Sequence, residues 1–225
     1  MLRSVSKIKN LKFKVVEQFR GLRTNIEFSS LGYEVKSIVV TSSKPFEGKS
    51  TIVSNLAVTM TSSGKRVVIV DCNFRRPTIH TMFSLSNSKG LTNILLQGRK
   101  IEDTVIKTCI PNLYVIPSGP LNPNSSELLG SIKMKEILNE LTNDFDMVLI
   151  DAPSVLYISD AQILSALAQG TIIVTAYGKL DKNELLSSKE KIENVGGKIL
   201  GVVINKIPNI NNSNHGDCYK QKIEK

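Results

Sequence analysis

Five short apolar runs punctuate the chain, at 37–41, 66–70, 146–150, 171–174 and 200–204, and a weaker sixth at Leu113–Ile116 ends against Pro117. Each is four or five residues long, rich in Val and Ile, and apolar at consecutive positions. Both faces of such a strand are hydrophobic, the pattern of strands sandwiched between helices in a parallel sheet. The spacing predicts helices between them. Residues 49–63 follow a Gly-containing turn, with Gly64 placed to end that helix. Residues 131–142 put Ile132, Ile137, Leu138 and Leu141 at amphipathic spacing. Residues 160–168 and 182–195 make two more helices, the second closed by Gly196 and Gly197, and 15–28 reads as an amphipathic helix ahead of the first strand.

Strands alternating with helices predict an α/β fold, a doubly wound, mostly parallel sheet with helices on both faces. No internal repeat or composition break marks a second domain. The chain divides into a basic N-terminal arm, 1–14, one α/β domain, 15–208, and a C-terminal tail, 209–225. The tail is rich in Asn and poor in apolar residues, and mobility is expected of it.

Composition narrows this only slightly. At 225 residues, 41% hydrophobic and 22% charged, the chain is long enough for one sizeable core, and a wholly disordered protein is excluded. Its net charge of +9 fits nucleic acid, an anionic membrane surface or a phosphate-bearing ligand. The charge is local, however. Residues 1–23 hold seven basic residues and one acidic, Glu17, and so six of the nine net charges. A basic arm on a nearly neutral body argues against a broad nucleic-acid face, and no nucleic-acid partner is expected. No apolar run suits a secretory signal or a spanning helix, which predicts a cytoplasmic protein. Cys72, Cys109 and Cys218 are odd in number and far apart, and read as reduced thiols; His80 and His215 read as surface histidines.

The chemistry gathers after the first strand, in Ser43-Lys44-Pro45-Phe46-Glu47-Gly48-Lys49-Ser50-Thr51. A phosphate-binding loop needs backbone N–H groups at a helix N-terminus, a Lys for the β/γ-phosphates and a hydroxyl for Mg²⁺. Gly48, Lys49 and Ser50 fit, although Ser43 stands where the strict P-loop pattern opens with Gly. Asp71 and Asp151 each end an apolar run. Ligands of an open α/β sheet bind at the carboxyl ends of its strands, so loop and carboxylates converge on one edge. Either Asp alone suits a helix N-cap; together with the loop they predict an Mg·nucleotide site of the P-loop NTPase kind, with Ser50, Asp71 and Asp151 near the metal. The phosphoryl acceptor is open at this point, water for an ATPase switch or a hydroxyl for a kinase. Asp71 is the best-placed proton acceptor. Arg75 and Arg76 contact phosphates or acidic substrate residues, or else form a solvated basic turn.

With these motifs in order, the chain resembles the bacterial tyrosine kinases of the capsule and exopolysaccharide biosynthesis family (the BY-kinases), of the cytoplasmic CpsD/CapB-like type. The resemblance spans roughly 15–208. It matches a Walker A over 43–51, a Walker A′ over 67–77, a Walker B over 145–153, and a Glu-x-x-Arg-x-x-Arg motif at Glu17, Arg20 and Arg23. It implies an ATP- and Mg²⁺-dependent protein-tyrosine autokinase. Lys49, Asp71, Asn73 and Asp151 would be catalytic, residues 43–51 with Arg75 and Asn205 would hold ATP, and Tyr219 would be the phosphoacceptor. The resemblance further implies a homo-oligomeric ring with Glu17, Arg20 and Arg23 at subunit contacts. A membrane-spanning polysaccharide chain-length regulator would activate the kinase at the inner face of the cell membrane. Without the family, those three residues read as charge pairs on one helix face.

The departures from the family are definite. Asn73 replaces the second aspartate of the Walker A′, Phe46 stands where a small Gly is common, and Ser154 replaces a Pro. The tail holds one tyrosine where the family has a cluster. Asn73 and the single tail tyrosine motivate one alternative, a degenerate nucleotide-binding regulatory subunit. A second, an ATPase switch of the chromosome-partitioning kind, would share this fold and take Lys44 as its signature Lys, although Pro45 and Phe46 replace that pattern's glycines.

Overall fold

The structure, a computed structural model, describes residues 13–29, 34–121, 124–179 and 181–208. Most of the basic arm, and Tyr33, Cys218, His215 and Tyr219, therefore lie outside the described residues. In chain order the elements are α1 (Phe13–Ser29), β1 (Ser37–Ser42), α2 (Lys49–Thr61), β2 (Val67–Asp71), α3 (Ile79–Met82), α4 (Leu91–Gln97), β3 (Ile106–Lys107), β4 (Leu113–Ile116), α5 (Ser125–Leu129), α6 (Ile132–Asp144), β5 (Met147–Asp151), α7 (Asp160–Leu167), β6 (Gly170–Ala176), α8 (Lys182–Glu193) and β7 (Ile199–Asn205). A 3₁₀ turn, Ile101–Asp103, precedes β3.

The seven strands form one sheet in the order β3-β4-β2-β5-β1-β6-β7, parallel except where β3 pairs with β4. Helices lie on both faces, so each strand feeds two cores by alternation. Ile38 and Val40 of β1, with Ile69 of β2 and Leu149 of β5, pack under α1, α2 and α3. Val39, Val68, Val70, Val148 and Ile150 pack under the helices α4 to α8. Every residue of β1, β2, β5 and β6 is buried, and each fully buried Val, Ile or Leu contributes about 1.5–3 kcal/mol over an exposed one.

Local chemistry sets the helix ends. Ser131 caps α6, its hydroxyl accepting the Met134 N–H, and Asp181 caps α8, accepting from the N–H groups of Asn183 and Glu184. α2 ends at Thr61, before Gly64, which takes φ 91° in the turn to β2.

Two expectations change. The run 200–204 looked buried on both faces, yet β7 is the last strand of the sheet, and Val202 and Ile204 are 45% and 48% exposed. His80, expected at the surface, is half-buried, and that burial lowers its pKa. Among the described residues no helix is long and apolar enough to cross a membrane.

Candidate active site

The parallel register brings the functional residues together at the carboxyl edge of the sheet. Asp71 pairs with Asp151 on the adjacent strands β2 and β5, and Val40 of β1 pairs with Asp151 from the other side. Between them the chain leaves β1 through the loop 43–48 and enters α2. Gly48, at φ 93°, precedes the first turn, and no side chain caps that end. Open N–H groups at a helix N-terminus suit an anion. A side chain at Gly48 would collide with the Asn205 amide, so only glycine fits on both counts.

Two kinds of buried carboxylate share this edge. Glu47 is 4% exposed and built into the loop. Its Oε2 accepts the Lys44 N–H at 2.8 Å, and its Oε1 accepts the Thr175 hydroxyl at 3.1 Å and the Ala176 N–H at 3.2 Å. Asp151 is fully buried and has one hydrogen bond, from the Ser50 hydroxyl to Oδ2 at 2.6 Å. Its Oδ1, also buried, has no partner. Asp71, fully buried as well, accepts the N–H of Asn73 on Oδ1 and those of Thr78 and Ile79 on Oδ2, each at 3.1 Å. These bonds close the loop 71–79 and cap the short α3.

Burial first, and then the charge of Asp151, push the Asp71 carboxyl up to about 8, against the pull of its three N–H donors. Burial pushes Asp151 up to about 6, opposed by the Lys49 charge and the Ser50 hydroxyl. Two facing buried carboxylates with one orphaned oxygen and one adjacent hydroxyl fit a divalent cation. Mg²⁺ commonly takes one or two carboxylates and completes its shell with phosphates and water. Among the described residues no cluster of three or more His, Cys, Asp or Glu forms an alternative metal site.

Several of the expected nucleotide contacts are committed elsewhere through their side chains. The Glu47 carboxylate belongs to the loop's scaffold. The Ser43 hydroxyl accepts from Ser188 of α8 at 2.8 Å, and Lys44 pairs with Glu184 of α8 at 2.6 Å. Asn205 donates to the Glu47 carbonyl at 2.9 Å and accepts the Lys206 N–H at 2.8 Å. These positions are left their backbones for a nucleotide. Pro45 and Phe46 sit exposed at the loop's tip, and Thr51 is exposed on α2. Asn73 is buried beside Asp71, and Arg75 is exposed on the same loop. Sequence reasoning missed Ser188, Glu184 and Lys206, whose amine reaches the Phe46 carbonyl at 2.6 Å. Nothing in their local sequence marks them, because α8 and β7 lie far from the loop along the chain.

Phe46 answers to its family departure. Its φ is 66°, the left-handed region where glycine is favoured. Holding an L side chain there costs about 1–2 kcal/mol. The Arg76 guanidinium lies over its ring, 5.3 Å from the centroid.

On α1, Arg20 pairs with Glu17 one turn earlier, both side chains about half exposed. Arg23 instead turns inward and donates to the Thr59 carbonyl of α2 at 3.5 Å. Of the tyrosines in the folded span, Tyr157 and Tyr177 are exposed, whereas Tyr114 packs edge-on against Phe145.

A family model described as an AAA domain matches residues 35–197. Over 189 residues the chain is 43% identical to the tyrosine-protein kinase YwqD of Bacillus subtilis, covering 84% of this chain and 80% of that one. It is 38% identical to the putative tyrosine-protein kinase CapB of Staphylococcus aureus, covering 91% and 90% respectively. The crystal structure of the chimerical protein CapA2B2 superposes with a TM-score of 0.86 at 39% identity, covering 92% of each chain. The P-loop fold of this family implies nucleotide binding. With the loop, the two strand-end aspartates and these relatives in agreement, the chain belongs to the bacterial tyrosine-protein kinase family.

Proposed function

We propose that the protein transfers the γ-phosphoryl group of ATP to tyrosine, its own Tyr219 included, within capsule or exopolysaccharide synthesis. The orphaned, buried Asp151 Oδ1 beside Ser50 and Asp71 at an open helix N-terminus supports the Mg·ATP part of this reading, and the similarity to tyrosine-protein kinases supports the acceptor.

In this reading Lys49 and the N–H groups at the start of α2 hold the phosphates. Ser50 and Asp151 hold Mg²⁺, with Asp71 beside them, and the ion when bound neutralises phosphate charge. Asp71 takes the phenolic proton as the tyrosyl oxygen bonds to the γ-phosphorus and the bond to ADP breaks. Three backbone N–H donors fix its carboxylate at the end of β2, in position to accept that proton. Asn73 orients this wall of the site without adding charge. Catalysis of this kind is chiefly positioning and charge stabilisation, which the buried edge supplies. In this reading the protein forms a homo-oligomeric ring, with Glu17, Arg20 and Arg23 of α1 at its subunit contacts. A membrane-spanning regulator activates the kinase at the inner membrane face, beside the basic arm.

Pure protein with Mg·ATP and the regulator's cytoplasmic segment is expected to acquire phosphotyrosine at Tyr219, and Lys49→Met to acquire none. ATP binding without any phosphotyrosine would overturn the kinase reading. That outcome would favour the second one, a nucleotide-binding regulatory subunit, which the neutral Asn73 at a family aspartate position supports. The partitioning-type switch has less support, because Lys44 is engaged with Glu184.

A further inference from the structure

Phe46 and Arg76 bridge the two walls of the site. Phe46 belongs to the phosphate-binding loop, and Arg76 to the loop that Asp71 closes through its three N–H bonds. The ring is 72% exposed, so apolar burial does not explain it. Its backbone is held in a conformation that glycine would adopt freely, and the Lys206 amine fixes its carbonyl. A strained residue kept at a functional edge, with its side chain in the open, points to a use for that side chain.

The chemistry of the pair defines the use. A guanidinium stacked on an aromatic ring spends its face and keeps its in-plane N–H donors, the fork that matches a carboxylate. Among the described residues neither Arg75 nor Arg76 forms an ion pair, so the rim beside Asp71 carries uncompensated positive charge. In the proposed function the acceptor tyrosine comes to Asp71, which closes the loop that holds Arg76. In the chain's own tail Asp217 stands two residues before Tyr219 and Lys220 directly after it, so the single acidic residue, and not the segment's net charge, is what the rim would read.

We propose that the Phe46 ring and the Arg76 guanidinium form a docking shelf for the segment bearing the acceptor tyrosine, selecting an acidic residue just before it. Phe46 is a positioning residue, which acts by presenting Arg76. The shelf presupposes the kinase reading, but its binding preference is measurable without transfer.

The test uses full-length protein and two fluorescent peptides spanning 212–225, one native and one carrying Asp217→Asn, with affinity read by anisotropy at low salt. The native peptide is expected to bind about fivefold tighter, the scale of one exposed charge pair. That preference should vanish in Arg76→Gln, shrink in Phe46→Leu, which keeps an apolar side chain without the π face, and persist in Phe46→Tyr. Equal binding of the two peptides by the wild type, or a preference undiminished in Arg76→Gln, would overturn the shelf. A clear preference with no phosphotyrosine formed on either peptide would uphold the shelf and overturn the kinase reading instead.

Discussion

Glu47 and Asp151 are both carboxylates buried at the carboxyl edge of one sheet, and they behave as opposites. Glu47 is surrounded by three donors from its own loop and from β6, so its charge is matched within the chain. Asp151 has a single hydroxyl and a bare oxygen, and faces a second buried carboxylate. A buried charge is tolerated when hydrogen-bonded and costs heavily when it is not. The first arrangement therefore stabilises the loop. The second stores repulsion that a cation would relieve, and it is the one expected to work on a substrate.

Substitution should separate the two most sharply. Asp151→Asn is expected to lower phosphotyrosine formation by on the order of 10²–10³-fold, the scale of losing one preorganised electrostatic contact. The same change should raise the melting temperature of metal-free protein at pH 8, because the repulsion with Asp71 is gone. Glu47→Ala should do the reverse in stability. It strands the donors of Lys44, Thr175 and Ala176, at an expected cost of about 2–4 kcal/mol in denaturant unfolding, with or without Mg²⁺.

Proton linkage gives a smaller and more specific signature. Asp71 and Asp151 titrate higher folded, at about 8 and about 6, than unfolded carboxylates near 4. The folded state thus binds more protons across that window, and stability falls as pH rises. Metal-free protein should melt at progressively lower temperature from pH 5 to pH 8, a slope that Asp151→Asn flattens. The smallest effect is expected of Asn73→Asp. A third carboxylate near the pair should lower metal-free stability slightly and raise Mg²⁺-dependent transfer a few-fold, read by initial rates.

Much of this was legible in the chain. The runs 37–41, 66–70 and 146–150 mark strands because a central parallel strand is covered on both faces, and Asp71 and Asp151 show where those strands end. The same rule misled at 200–204, since an apolar run carries no mark of a strand's rank in the sheet, and β7 is at the edge. The two-residue β3 and the short α3, α4 and α5 are set by tertiary contacts and have too few residues for a period. The loop at 43–51 was readable as a phosphate cradle from Gly48, Lys49 and Ser50. That Glu47 is its internal brace was not, because its donors Thr175 and Ala176 lie more than 120 positions away. Phe46 showed only as a departure until its φ of 66° explained why glycine is common there.

The most direct measurement of the central claim, that the Asp71–Asp151 pair is the cation end of a phosphoryl-transfer site, is the melting temperature at pH 8 with ADP present, in Mg²⁺ or in EDTA. Mg²⁺ should stabilise the wild type and leave Asp151→Asn unmoved. An Mg²⁺ increment that survives intact in Asp151→Asn would contradict the account.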